Sequence, residues 1–196
     1  MAIPNIERYC EITGRDLEEY LTFFPLDAKD LHKKVILNLG SGWSDLEEDL
    51  RRRNIFPKAV FNLDLAYTRR KNKFLQDWIR SWYGGSPGRF IPKKGAVCGD
   101  MCLLPFPSGV IDYCLSLWSL SSYLSEERRT LAVSEIIRVL KPNGRAFIHP
   151  VAPFEENLVE GIMNAIPLEG GNQDEARFGF LKPETYKGFW TLEISK

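Results

Sequence analysis

Residues 35–50 read VILNLGSGWSDLEEDL: an apolar run, then Gly40-Ser41-Gly42, then a charged stretch of helical character. Glycines at such a junction let the backbone turn tightly and let a ligand approach the main chain, at the strand ends where open α/β sheets bind ligands. The bland alternative is a tight strand-to-helix loop that holds nothing. A dinucleotide fingerprint needs a third glycine at position 45, where the chain has Asp45, and the GK[ST] of a phosphate loop is absent. Ser44 and Glu47 are spaced as an S-x-x-E capping box, and Asp45, Glu47, Glu48 and Asp49 load the first turns with negative charge. A pyrophosphate would be repelled there, so a cofactor without phosphate and with a cationic centre is expected.

Three further groups are placed for chemistry. Asp64 follows the second apolar run, 24 residues after Gly40, where a carboxylate can accept from both hydroxyls of a ribose. Asp100, in Gly99-Asp100-Met101, can accept from an adenine amino group while Met101 packs on the ring; an ordinary turn aspartate is the alternative. His149, in FIHPV, stands at a strand end where a general base could sit, or where a structural hydrogen-bonding group would. Cys98 and Cys102 form a lone CxxxC with no second ligand pair, so Cys10, Cys98, Cys102 and Cys114 read as buried free thiols and no metal is expected.

The elements that must position these groups alternate along the chain. Residues 35–39, 60–65, 110–117 and 146–149 read as strands without clean in/out alternation, as in a parallel sheet covered on both faces, with 95–98 a shorter fifth. Between them 45–53, 71–82 and 125–140 read as helices. In the last, Val133, Ile136, Ile137 and Leu140 recur at helical spacing before the stop Lys141-Pro142-Asn143-Gly144. Residues 5–24 suggest one or two helices and 154–166 another, with GFWTLEI (188–194) a closing strand and FGFL (178–181) a poorer partner.

With those residues in place the chain resembles the class I S-adenosylmethionine-dependent methyltransferases of small-molecule type, over about residues 33–151. VILNLGSG resembles the glycine motif, FNLDLA the ribose-binding strand end, GDMCLLPFPSGVIDYCLSLWSL the adenine loop and fourth strand, and SEIIRVLKPNGRAFIHPV the helix and fifth strand. The resemblance implies an α/β fold, a three-layer αβα Rossmann-like sandwich with a mostly parallel six- or seven-stranded sheet. Residues 1–34 would be an N-terminal helical extension and 35–196 the methyltransferase-like domain. It further implies S-adenosylmethionine as cofactor. Gly40, Ser41 and Gly42 would line its methionine and ribose part, Asp64 and Leu65 the ribose and adenine, Asp100 and Met101 the adenine, and Leu117 and Trp118 the methionine and acceptor. The chain departs from the pattern at Asn38, where an acid is usual, at Ser44, and at Ser121-Ser122-Tyr123, where many members have a histidine. No [ND]PP[YFW] follows the fourth strand, which speaks against adenine or glutamine amino groups as acceptors.

Methyl transfer from a sulfonium is an in-line displacement, so alignment and water exclusion are the main demands and a base is needed only for a hydroxyl or protonated amine. The expected reaction is methylation of a small-molecule or lipid-like acceptor. Charge layout keeps two other readings open. The chain has 26 basic and 26 acidic residues, but residues 51–95 carry 12 basic and 2 acidic, interleaved with Trp78, Trp82, Tyr83 and Phe90. Such a surface suits RNA, while a solvated helix face paired with acidic flanks is the alternative. The third reading is a catalytically silent binding subunit. At 196 residues, with 44% apolar content and no apolar run near the roughly 20 residues of a membrane span, one cytoplasmic domain is expected.

Overall fold

The computed structural model describes residues 14–44, 46–64, 95–120, 124–151, 176–181 and 189–196. In chain order these form β1 (Gly14–Arg15), α1 (Leu17–Phe23), a 3-10 turn (Ala28–Leu31), β2 (Val35–Leu39), β3 (Trp43–Ser44) and α2 (Leu46–Arg52). There follow β4 (Ala59–Leu63), β5 (Ala96–Val97), β6 (Ile111–Leu117), α3 (Glu126–Val139), β7 (Leu140–Val151), β8 (Arg177–Leu181) and β9 (Trp190–Ser195). Leu65, the 71–82 helix, Ser121 to Tyr123, the 154–166 helix and Cys10 lie outside the described residues.

Seven strands form one sheet in the order β5-β4-β2-β6-β7-β9-β8, parallel except for β9, which runs antiparallel to both its neighbours. Of the two sheet sizes expected, the larger holds, because 177–181 pairs fully along β9. The sheet is a mostly parallel Rossmann-like one. Chain order jumps from one side of β2 to the other between β5 and β6, and it is at such a switch point, at the carboxyl ends of β2 and β6, that open α/β sheets form a ligand crevice.

Alternation along the central strands sends side chains into two cores. Leu37 and Leu39 of β2, Cys114 of β6 and Ala146 and Ile148 of β7 pack with Val133, Ile136 and Val139 of α3. Ile36, Leu115, Leu117 and Phe147 face the other way, onto Leu17, Tyr20 and Phe23 of α1 and Leu46 and Leu50 of α2. Both faces are thus covered, which is why these strands show no polar side in sequence. Val133 and Ile136 are buried while Arg128 and Glu135 on the same helix reach solvent-facing partners, so 3.6-residue periodicity decides α3.

Three local expectations change. The Ser44–Glu47 capping box does not form: Ser44 is held extended beside Arg15, its Oγ accepts from Leu46 N at 3.2 Å, and Glu47 turns to Arg51 instead. Lys141 to Gly144 is not a plain turn before a short strand. Pairing jumps from Ile111 opposite Leu140 to Tyr113 opposite Arg145, so the segment bulges out of a strand that starts directly after α3. Of the three described thiols, all expected to be buried, Cys114 is; Cys98 is exposed, and Cys102 is half-buried and donates to Arg128 O. Among the described residues no helix is long and apolar enough to cross a membrane.

Candidate active site

The turn after β2 is shaped by Gly40 and Gly42, with φ of 57° and 50°. This left-handed backbone favours glycine, and Gly40 needs it twice over: a Cβ there would stand 2.3 Å from Ser119 Cβ. Ser119 Oγ in turn donates to Leu39 O at 2.9 Å and lies 2.8 Å from Ser116 Oγ, locking the turn after β2 to the loop after β6. Met101 Cε lies 3.7 Å from that same Cβ position, so the 99–103 loop reaches the glycine turn.

Asp64 stands where β4 ends and accepts from Gly42 N at 2.9 Å. The backbone holds this pair from both sides, since Asp64 N donates to Val97 O and Ser41 N to Leu63 O. A carboxylate and a glycine turn from different strands are thereby brought to one place. Asp100 is nearby but engaged: one oxygen accepts from Cys102 N at 2.9 Å and the other meets Arg128 at 2.6 Å. Partial burial would raise its pKa, yet the Cys102 amide and the Arg128 guanidinium outweigh that and hold the carboxyl below its ordinary value. Any donor that Asp100 receives at this oxygen would share it with Arg128.

Beneath the turn lies a neutral polar network. Tyr20 of α1 donates to Asn38 Oδ1 at 2.9 Å, Asn38 Nδ2 donates to Asn62 Oδ1 at 3.1 Å, and Asn38 is fully buried. Burial pushes the Tyr20 hydroxyl up despite Arg15 beside it, so the phenol stays protonated and donating. With a tyrosine hydroxyl and a second amide as its partners, Asn38 is satisfied as a neutral side chain where an acid is usual. Arg15, only 5% exposed, reaches over the network: Nη1 donates to Gly40 O at 2.6 Å and Nη2 to Trp118 O at 3.3 Å.

Leu117 is fully buried in the core under α1, and Trp118 after it is half-buried against that core. Trp118 adopts φ of 53°, unusual for a large side chain, and its amide donates to His149 O at 2.6 Å. Its ring meets Phe23, His149 and Phe189 edge-on, with centroids at 5.9, 5.3 and 6.3 Å. His149 is fully buried, stacked on Phe23 at 4.3 Å, with Nδ1 3.1 Å from Thr191 Oγ1. Because Thr191 Oγ1 donates to Phe23 O at 2.8 Å, it accepts from His149 Nδ1–H, which leaves Nε2 as a bare lone pair with no partner among the described residues. Burial pushes the His149 pKa down to about 4, against a smaller upward pull from the Trp190 backbone.

A family model described as a methyltransferase domain matches residues 37–148, from β2 through most of β7.

The chain belongs to the methyltransferase domain family.

Curated relatives of this methyltransferase domain include the tRNA (carboxymethyluridine(34)-5-O)-methyltransferases alkbh8 of Xenopus tropicalis and ALKBH8 of Mus musculus. The first is 40% identical over 60 residues, 31% of this chain, and the second 31% identical over 84 residues, 42% of it. The matches span only 9% and 12% of those relatives' own lengths. Among solved structures, the amino pentose methyltransferase CalS10 of Micromonospora echinaspora superposes with a TM-score of 0.55 at 11% identity, over 86% of this chain and 85% of that one. A TehB-like S-adenosylmethionine-dependent methyltransferase of Corynebacterium glutamicum gives 0.51 at 16% identity, over 86% of each chain. The fold is theirs, and S-adenosylmethionine is the cofactor of this methyltransferase domain.

The residues present fit that group: a turn no side chain could replace, a carboxylate seated on its amide, and a buried guanidinium nitrogen, Arg15 Nε, without a partner among the described residues. The acids in the first turn of α2 do not stand free as a repulsive patch. Glu47 pairs with Arg51, Asp49 pairs with Arg52, and the other Asp49 oxygen caps Leu17 N of α1. Sequence reasoning missed Arg15, Tyr20 and Phe23, which come from outside the glycine motif. The one legible signal was the aromatic content of 15–24, Tyr20, Phe23 and Phe24, upstream of β2.

Proposed function

We propose that this methyltransferase domain methylates a small-molecule or lipid-like acceptor held against the aromatic face of Phe23, Trp118 and Phe189. The observation that carries this is the bare Nε2 of His149 inside that aromatic cluster. Phe189, 38% exposed, brings the cluster to the surface. An apolar, flat acceptor with one O–H or N–H donor would satisfy both the rings and the lone pair.

Gly40, Ser41 and Gly42 would hold the methionine and ribose of the cofactor, Asp64 and Leu65 the ribose and adenine, Asp100 and Met101 the adenine, and Leu117 would support Trp118 from below. Bound S-adenosylmethionine supplies a methyl carbon activated by its sulfonium leaving group. The chain's own residues then have to align the acceptor and keep water out, for which a dry aromatic wall is suited. With its pKa near 4, His149 fits a hydrogen-bond acceptor that orients a donor better than a base that retains a proton. Mass spectrometry of ligands retained by the purified protein, followed by labelled methyl transfer to the recovered compound, tests this reading. Transfer to RNA with none to small-molecule fractions would overturn it.

One observation favours a second reading. The curated relatives act on tRNA, and residues 51–95 carry a net charge of +10 from 12 basic and 2 acidic side chains. In the described part of that segment, Arg51, Arg52 and Arg53 are paired with Glu47, Asp49 and Glu18, as a solvated helix face would have them. A gel shift with tRNA that weakens steeply with salt would support RNA as the acceptor, and no shift at low salt would remove it.

A further inference from the structure

Pairing between β7 and β9 steps from Ile148 opposite Leu192 to Val151 opposite Trp190, so two residues of β7, His149 and Pro150, stand against the single Thr191 of β9. Such a bulge re-aims a side chain. Here it leaves the His149 ring beside Thr191, both fully buried, with Nδ1 3.1 Å from Thr191 Oγ1. The one hydroxyl hydrogen of Thr191 goes to Phe23 O at 2.8 Å, so toward the ring Oγ1 can only accept, and the imidazole hydrogen stands on Nδ1. Nε2 is then a lone pair without a partner among the described residues. Phe23, stacked on His149, is buried, whereas Trp118, edge-on to His149, is half-buried and meets the exposed Phe189. The way from solvent to Nε2 therefore runs past Trp118.

We propose that Thr191 is a positioning residue for the methyl acceptor: it fixes His149 as the Nδ1–H tautomer, and Nε2 thereby selects an uncharged acceptor that carries a single O–H or N–H. Three kinds of molecule sort themselves at that lone pair. A neutral hydroxyl gives Nε2 the hydrogen it lacks. A carboxylate sets its own lone pairs against Nε2 among apolar rings, loses its hydration and gains nothing in exchange. A methyl ether of the same hydroxyl has no hydrogen left to give, so the methylated product is held less tightly than the acceptor it came from. The inference rests on the acceptor site proposed above and adds the residue that decides which acceptors that site takes.

The test records nitrogen NMR spectra of the histidine side chains at neutral pH on the wild type, Thr191→Val and Thr191→Ser, then titrates each with phenol, its methyl ether anisole, and benzoate. The wild type is expected to show His149 with a protonated Nδ1 and a bare Nε2. Thr191→Val is expected to shift the proton toward Nε2, and Thr191→Ser, which keeps the hydroxyl, to restore the wild-type pattern. Phenol is expected to bind the wild type about three- to tenfold more tightly than anisole or benzoate, the range of one neutral hydrogen bond, and Thr191→Val to bring phenol and anisole within about twofold of each other. A loss of stability alone does not move the proton. A Thr191→Val spectrum like that of the wild type would mean that the Trp190 backbone holds the ring unaided, and overturns the proposal; so does equal affinity of the wild type for phenol and anisole. Should Thr191→Val fail to fold, a proton on Nε2 in the wild type overturns it as well. The two readings fail differently: binding of none of the three probes counts against the acceptor site, whereas an unmoved proton counts against Thr191.

Discussion

Gly40 shows how little room the site leaves to a single residue. A methyl group there meets Ser119 Cβ at 2.3 Å on a backbone of positive φ, so Gly40→Ala must move the turn or the loop after β6. Chemical denaturation of Gly40→Ala is expected to show a loss of about 2 kcal/mol or more, and cofactor binding should weaken with it. Asp64→Ala removes a different thing. It frees Gly42 N and takes away the carboxylate proposed for the ribose, so calorimetry should register at least about tenfold weaker S-adenosylhomocysteine binding, with little change in the unfolding midpoint. Unchanged affinity would remove Asp64 from the site.

His149 gives a pH signature. Its folded pKa is pushed down to about 4, below the ordinary value of 6.5, so between those two values the unfolded chain binds more protons than the native one. Stability contributed by the neutral ring is full above pH 6.5 and is lost as pH falls toward 4, on the order of 3 kcal/mol in all. Thermal melts across that window should be flatter in His149→Gln than in the wild type. Parallel curves would place the titration elsewhere.

At the scale of elements, α1 is the piece whose role its own sequence conceals. It is seven residues long, too short to be stable alone, and it is held by Asp49 at its start, Tyr20 on Asn38 in its middle and Phe23 O on Thr191 at its end. Thr191→Val deletes both the donor to Phe23 and the acceptor for His149 Nδ1 while keeping the shape. It should cost about 1 to 3 kcal/mol and speed proteolytic cutting within residues 14–24 relative to cuts elsewhere. By contrast α3, 14 residues with its own apolar stripe, was legible from periodicity alone. β8 was faint in sequence because its burial is only partial along its whole length; β9 supplies the pairing that makes it a strand.

At the scale of the whole molecule, the crevice is assembled from the ends of three strands and a segment before the first of them. Ligand binding should therefore act on the global unfolding equilibrium. S-adenosylhomocysteine at 100 times its dissociation constant is expected to stabilise the native state by about 2.7 kcal/mol, and to raise the melting temperature by roughly 5 to 10 °C for a domain of this size. A melting temperature that ignores the ligand would mean that the crevice does not hold it.

By itself the sequence determined the parallel α/β frame, the glycine turn and the acid at the end of the second strand. Each is written in local terms: apolar runs of strand length, a backbone only glycine tolerates, and a fixed interval along the chain. Tertiary structure alone decided the company those residues keep. That Arg15 lies over Gly40, that Asn38 is satisfied by Tyr20, and that Thr191 sets the tautomer of His149 are contacts across 25, 18 and 42 residues of chain. Such contacts leave no period in the sequence, because what brings them together is the burial of two sheet faces under α1, α2 and α3 rather than any preference of the neighbours along the chain.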